Sequence, residues 1–390
     1  MKRVILSERI PIKVWMDSID DKTMEQTVNL ANLPFAFKHV SLMPDAHSGY
    51  GMPIGGVLAT EGVIVPNAVG VDIGCGMCAV KSDLMVSEVS RKEMLNILSE
   101  IRNKIPIGFN HHKEKQDESL MPQGYDLNNL HVISRQYTAA LKQIGTLGGG
   151  NHFIEIQKDS EGFLWLMIHS GSRNLGKQVA DFYNKKAGQL NELWYSSVDK
   201  SVDLAFLPFR TNEARQYYDE MRYCVDFALA NRKLMIERVQ ESFYDHFPTI
   251  KFGDVINKAH NYAAWENHFD KDVVVHRKGA TSAREGEIGI IPGSQGTNSY
   301  IVEGLGNKDS FNSCSHGAGR TMGRKEAVRN LDLEEEKRKL DALGIIHAVR
   351  SKSDLEEAPS AYKDIEEVMA NQQDLVRIKV ELSPVAVIKG

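Results

Sequence analysis

Glycine-bearing turns recur along almost the whole chain, and no linker divides them. VGVDIGCGM (69–77), GTLGGGN (145–151), HSGSR (169–173), PGSQG (292–296) and HGAGR (316–320) each set reactive side chains on backbone with little side-chain cover. Glycine permits tight turns and close approach of the backbone to a ligand, so backbone shape matters at these places. No proline- or serine-rich stretch, repeat, heptad array or low-complexity tract separates two halves. Motifs scattered from Asp45 to Lys389 can meet in one site only if both ends of the chain build it. That constraint predicts a single intertwined domain over residues 1–390.

Short β-branched runs joined by turns fill the first third: IPIKVWM, FKHVSLM, GGVLA and GVIVP read as strands. Ser90 and Glu93 form a capping box, and Met94, Leu95, Leu98 and Ile101 follow at helical spacing. The polar stretch 104–123 reads as an exposed loop, 131–144 as a helix, and FLWLMIHSGS as a buried strand entering a glycine turn. Asn212 reads as the cap of a long helix over 213–244, with Tyr217, Met221, Val225, Ala228, Met235 and Val239 as its inward stripe. The run LDLEEEKRKL, within 324–343, reads as a solvated helix face.

Composition narrows the setting. With 42% hydrophobic and 25% charged residues among 390, the profile is that of a soluble globular protein. No apolar run approaches the ~18 residues needed to span a membrane, and the N-terminal MKRVILSERIPIKVW lacks a signal-peptide pattern. Four cysteines in such a length make no disulfide framework, so a cytoplasmic location is expected. A net charge of −5 argues against bulk, non-specific coating of nucleic acid but leaves room for a local basic groove.

Asp72 and Cys75 stand three residues apart among glycines. An acid beside a thiol is a poor core but a reasonable start to a transition-metal site. Cys75 and Cys78 also fit half a zinc ribbon or a redox pair. The ribbon lacks a second knuckle, since Cys224 and Cys314 are solitary, and the redox pair lacks a following helix. Most of the thirteen histidines have ordinary explanations. His47, His152, His169 and His316 sit in or beside glycine turns, where imidazole and backbone N–H groups can approach a ligand together. His260, in KAHNY, has no such turn, and spacing alone leaves it undecided. Several glycine turns carry Arg173, Arg320 or Arg324, an anion-cradling pattern. There is no GxxxxGK[ST] and no KxDG, so a covalently held nucleotide would fall to a histidine.

MPDAHSGYG, VGVDIGCGM, GTLGGGNHFIE, HSGSRNLG, RKGATSA, IPGSQG, SCSHGAGR, AYKD and the terminal IKG together resemble, in order and over essentially the whole chain, the RtcB family of RNA ligases. The resemblance implies a single α/β (α+β) domain, with central β-sheets flanked by helices and a dinuclear metal cleft. It implies a ligase dependent on GTP and Mn²⁺ that joins RNA ending in a 2′,3′-cyclic phosphate or 3′-phosphate to RNA beginning with a 5′-hydroxyl, in RNA repair or tRNA splicing. An archease-like activator is a possible partner by the same analogy. End capping with GMP, or phosphodiester hydrolysis on the same site, is the alternative.

Position by position, the resemblance makes Asp72, Cys75, His152, His169 and His260 the ligands of two Mn²⁺ ions. Cys75 would bridge, with Asp72 and His152 on one ion and His169 and His260 on the other. His316 matches the guanylylated histidine. Asn151, Glu155, Ser294, Ser299, Arg320, Tyr362 and Lys389 match guanylate-binding positions. Arg173, Lys278 and Arg324 match basic positions around the RNA phosphate, and Asp45 and His47 lie in a motif near the metals. Gln295 stands where the family commonly has methionine, and RKGATSAREGEIGIIPGS is compact where longer members carry a longer loop.

Overall fold

The computed structural model describes residues 1–390. Two large sheets organise the mixed α/β fold. One has six strands in the order Arg3–Ile5, Ile12–Val14, Ala36–His47, Ile54–Thr60, Lys271–Lys278, Asn261–His268. The other has seven: Ile256–Ala259, Gly76–Met85, Phe163–Ser170, Phe153–Asp159, Val376–Lys389, Ser299–Gly304, Ile288–Ile291. All neighbouring strands are antiparallel except Ile12–Val14 against Ala36–His47. The order is far from sequential: the C-terminal strand pairs with Phe153–Asp159 on one side and Ser299–Gly304 on the other. Both ends of the chain are thereby built into sheets.

The two-residue alternation of a strand decides what each face carries. On one face of the seven-stranded sheet, Cys78, Val80, Ile154, Ile156, Leu166 and Ile168 pack against two helices. Helix Arg91–Lys104 contributes Met94, Ile97, Leu98 and Ile101, and helix Asn212–Tyr244 contributes Met235, Ile236, Val239 and Phe243. The other face carries Met77, Phe153 and Met167. His169 pairs directly with Met77 and Phe153, so it points to that second face. Cys78 belongs to the helix side and is buried core.

The capping box forms as expected: the Ser90 hydroxyl accepts from Glu93 N at 3.2 Å, and the Glu93 carboxylate accepts from Ser90 N at 2.8 Å. Leu95, however, is exposed, and Ile97 takes its place in the core, because the buried face follows i, i+3, i+4 from Met94. The long helix begins one residue earlier than expected: Thr211 is the cap, its hydroxyl accepting from Ala214 N at 3.3 Å. Its stripe is buried except for Val225, which is half-buried. The stretch 324–343 is two helices, Arg324–Asn330 and Leu333–Ala342, and its acidic run is not wholly solvated. Glu336 turns inward, where its carboxylate accepts from the Ser360 hydroxyl at 2.6 Å. Helix His131–Gln143 forms, and 104–123 is irregular apart from one turn at Glu118–Leu120. No helix is long and apolar enough to cross a membrane.

Candidate functional site

Three strand ends and two loops deliver the candidate ligands to one place. The turn 69–75 leads into strand Gly76–Met85 and carries Asp72 and Cys75. The glycine turn 148–151 leads into strand Phe153–Asp159 and carries His152. His169 lies near the end of strand Phe163–Ser170, and His260 follows strand Ile256–Ala259. Backbone bonds lock the neighbours together: His260 N donates to Cys75 O at 2.8 Å, and Gly74 N to Asn261 O at 2.8 Å. A Cβ on residue 171 would lie 2.2 Å from Asp72 Oδ1, so a larger residue there would displace the Asp72 carboxylate. Gly148, at φ +92°, would drive a Cβ to 1.9 Å from Arg173 Nη1.

The ligand atoms fall into two sets that share one sulfur: Asp72, Cys75 and His152, and Cys75, His169 and His260, each set lying within 4.8 Å. Cys75 Sγ is 3.5 Å from His152 Nε2 and 3.2 Å from His169 Nε2. Asp72 Oδ2 lies 3.0 Å from His152 Nε2, and the Nε2 atoms of His169 and His260 are 3.4 Å apart. His152 uses Nδ1 to donate to Leu147 O at 3.0 Å, and His169 uses Nδ1 to donate to Asn151 O at 3.1 Å. Those bonds fix the tautomer, so both Nε2 lone pairs face the sulfur.

Donor chemistry decides whether such a set fits a metal. Burial and neighbouring charge, first of all burial, hold His169 and His260 well below the usual imidazole range, so both are neutral, as ligands must be. Burial followed by the Asp72 charge pushes the Cys75 thiol well up in the protein alone. Lone pairs converging on a buried thiol beside a carboxylate are mutually repulsive without a cation, and a divalent ion removes the conflict. The residues fit the two-ion site that the sequence resemblance implies.

His316 stands against this cluster, its ring centroid 4.8 Å from that of His260. The strand Ser313–Ser315, paired with Ala280–Ser282, delivers it. Asp45, fully buried on strand Ala36–His47, accepts from His316 Nδ1 at 2.6 Å and from His316 N at 3.1 Å. Burial raises the Asp45 pKa, but the charge and hydrogen bond of His316 outweigh it and hold it low. Nδ1 is thus engaged by the carboxylate, and Nε2 is the ring nitrogen left free of it. His47 is not placed with the ligand atoms: its Nδ1 bonds Asp45 O at 3.0 Å, and burial drives its pKa down to about 4.

A second cluster adjoins the first. Glu357, buried, accepts from Arg324 Nε at 2.9 Å, from Arg320 Nη1 at 3.3 Å and from the Tyr362 hydroxyl, with Lys389 Nζ at 3.9 Å. Burial raises its pKa, and the Lys389 and Arg320 charges more than reverse that. Lys389 pairs across the sheet with Phe153 and shares a face with Glu155, which burial pushes up to about 8. Glu155 Oε1 is buried with no partner. Ser299 Oγ accepts from Gln157 Nε2 at 3.0 Å and Gly293 N at 3.1 Å, and the Ser294 hydroxyl meets Thr297 Oγ1 at 3.1 Å. The Asn151 carbonyl is the acceptor for His169 Nδ1.

Among the basic positions, Arg173 begins helix Arg173–Leu193 at φ +59° and donates Nε to Thr146 Oγ1 at 3.1 Å. Arg324 flanks the glycine turn, 3.4 Å from where a Gly150 Cβ would stand. Lys278 is otherwise engaged: Nζ donates to Tyr50 O at 2.6 Å and Asn67 O at 3.0 Å, and burial takes its pKa down to about 7. As placed, it ties two loops together and offers no free charge to a phosphate.

Sequence reasoning missed Glu357, the hub of the second cluster, for which one acid in SDLEEAPSAYKD gives no signal. It also missed Asn261, whose Nδ2 donates to Asp72 O at 3.0 Å while its Oδ1 accepts from Gly279 N at 2.7 Å.

Residues 26–390 match the family model described as tRNA-splicing ligase RtcB. The RNA-splicing ligase RtcB of Escherichia coli (strain K12) is 36% identical over 409 residues, covering 99% of both chains. The tRNA-splicing ligase RtcB of Thermococcus kodakarensis is 33% identical, covering 98% of this chain and 95% of the relative. The RNA-splicing ligase RtcB homolog 1 of Entamoeba dispar is 33% identical, covering 94% and 82% respectively. With family model and full-length relatives in agreement, the chain belongs to the RtcB family of tRNA-splicing ligases.

Proposed function

We propose that the chain acts as one catalytic domain, a GTP- and Mn²⁺-dependent ligase that joins RNA 3′-phosphate or 2′,3′-cyclic phosphate ends to 5′-hydroxyl ends through a guanylate carried on His316. The observation that carries this reading is the Asp45–His316 pair standing against a buried Cys/His/Asp cluster. A histidine whose Nδ1–H is held by a buried carboxylate is oriented as a nucleophile at Nε2.

Asp72, Cys75, His152, His169 and His260 would hold the two ions. When bound, they supply Lewis-acid stabilisation of charge on phosphate oxygens. His316 Nε2 attacks the α-phosphorus of GTP, forming a P–N bond as the P–O bond to pyrophosphate breaks. Asp45 balances the positive charge that the imidazole gains, keeping the ring in place as its Nδ1–H is retained. Glu155 and Lys389 present an acceptor and a donor to the guanine edge, and Tyr362 lies beside them. Arg320 and Arg324 offer guanidinium groups to phosphate once freed from Glu357. After water opens a cyclic phosphate, the 3′-phosphate of RNA attacks the guanylate phosphorus and releases His316. The 5′-hydroxyl then attacks the activated 3′-phosphorus, loses its proton, and expels GMP. Positioning and charge stabilisation are the main requirements of such phosphoryl transfers.

The test is incubation with GTP, Mn²⁺ and two RNAs bearing 3′-phosphate and 5′-hydroxyl ends. A joined strand is the expected product. A guanylylated 3′ end with no joining would replace ligation by end capping, and a shortened or dephosphorylated RNA by hydrolysis.

A further inference from the structure

Two polar residues in the middle of the long helix are fully buried, Asn231 and Arg232. They sit on the inward stripe, between Ala228 and Met235, where every neighbour along the helix face is apolar core. Buried polar groups are costly unless hydrogen-bonded, and a guanidinium is among the costliest; of the Arg232 nitrogens Nε and Nη1 have partners and Nη2 has none. No carboxylate lies within ion-pair distance of Arg232.

All the partners of this pair lie in the loops that carry candidate metal ligands, apart from Asn257, which steadies the guanidinium. Arg232 Nη1 donates to Gly74 O and to Ser170 O, each at 2.8 Å, while Nε donates to Asn257 Oδ1 at 2.8 Å. Gly74 precedes Cys75, and Ser170 follows His169. Asn231 Oδ1 accepts from Gly145 N at 2.7 Å and Thr146 N at 3.2 Å. Its Nδ2 stands 3.2 Å from Thr146 O, Ser170 Oγ and Gly171 O. Ser170 Oγ in turn donates to Leu147 O at 2.8 Å, the same carbonyl that takes the Nδ1–H of His152. One turn of helix therefore reaches the backbone beside Cys75, His169 and the carbonyl that orients His152.

We propose that Asn231 and Arg232 are positioning residues of the metal centre, a two-residue clamp that sets the spacing of three ligand-bearing loops before any ion arrives. The clamp touches neither ion nor ligand side chain and acts through peptide groups. Outer groups that orient metal ligands typically change metal affinity by about 10- to 100-fold when lost. The proposal rests on the metal-centre reading, and the experiment separates the two.

The probe is Co²⁺, titrated into metal-free protein and followed by thiolate-to-cobalt charge transfer and by the visible d–d bands, with circular dichroism and thermal melting of the same metal-free samples. The variants are Arg232→Lys, which keeps the charge but cannot serve two carbonyls with the same planar fork, and Asn231→Ser, a smaller change that carries the same test. The expected result is native-like circular dichroism in both, about 10- to 100-fold weaker Co²⁺ binding, and shifted d–d bands. Folded variants that bind Co²⁺ within about twofold of wild type, with unchanged bands, would overturn the clamp. Absence of a thiolate-to-cobalt band in wild-type protein would instead overturn the metal-centre reading beneath it.

Discussion

The sharpest assignment at the residue scale concerns Asp45. Its carboxylate is buried, and Oδ2 takes both the Nδ1–H and the backbone N–H of His316. Asp45→Asn preserves shape and can still accept through its amide oxygen, but removes the charge that offsets the imidazolium formed as His316 attacks. Formation of the guanylate in a single turnover should then slow by about 10²-fold or more, with GTP binding little changed. Labelling at the wild-type rate would show that His316 needs no such partner. Residue identity was also where the sequence was most legible. Asp72, Cys75, His152 and His169 lie in or beside glycine turns, which advertise close backbone approach. His260 gave no such sign, because what places it is a backbone bond to Cys75 across 185 positions of chain. Glu357 was invisible for a related reason: four partners drawn from three segments define it, and none is near it in spacing except Tyr362.

Elements tell a different story. Local signals worked where local chemistry decides: the Ser90 box, helix His131–Gln143 and the β-branched runs read as strands formed as their patterns predict. They slipped where tertiary contacts decide. Leu95 faces solvent although it is apolar, and Glu336 faces Ser360 although it lies in a charge run. The pair Asn231–Arg232 was legible in principle, since helical spacing places both on a stripe that must be buried.

The strand Lys271–Lys278 shows how one side chain couples elements. Buried Arg277 donates Nε to Ser313 Oγ at 2.9 Å and Nη2 to Phe311 O at 2.9 Å, and pairs with Glu266 at 2.5 Å. It thus joins the six-stranded sheet to the short strand that delivers His316. Removing one partner of a buried pair strands the other charge, so Glu266→Gln should destabilise by about 3–5 kcal/mol in urea unfolding. The acid limb follows in sign. Burial raises the Glu266 pKa, but the Arg277 charge overrides it and takes the folded value down to about 2. The pair's contribution is therefore complete above the unfolded carboxyl range near 4.5 and is lost as pH falls from there toward 2. Over that window wild-type stability should fall more steeply than that of Glu266→Gln, and parallel curves would contradict the assignment.

At the scale of the whole molecule, topology explains why both chain ends matter. The C-terminal strand lies inside the seven-stranded sheet and carries Lys389 to Phe153 and Glu155, while Asp45 comes from the other sheet. A non-sequential strand order of this kind leaves no trace in periodicity; the scatter of motifs from Asp45 to Lys389 showed only that distant segments had to meet. The net charge of −5 belongs to the whole surface, whereas Arg173 and Arg324 are local. Binding of a 3′-phosphorylated RNA should therefore weaken steeply with salt. In fluorescence anisotropy across a salt series, Arg173→Ala should reduce the log–log slope by about 0.7, the value for one lost contact to a single strand. An unchanged slope would place the RNA phosphate elsewhere.

All of this turns on a covalent guanylate at one histidine. Wild-type protein and His316→Ala should each be stripped of metal, reloaded with Mn²⁺, incubated with α-labelled GTP and denatured. Label that stays with wild-type protein, is released by acid, is absent without Mn²⁺ and is absent from His316→Ala is the predicted result. Equal labelling of both proteins would put the nucleotide on another residue, and no label on metal-loaded wild type would contradict the histidine–guanylate route.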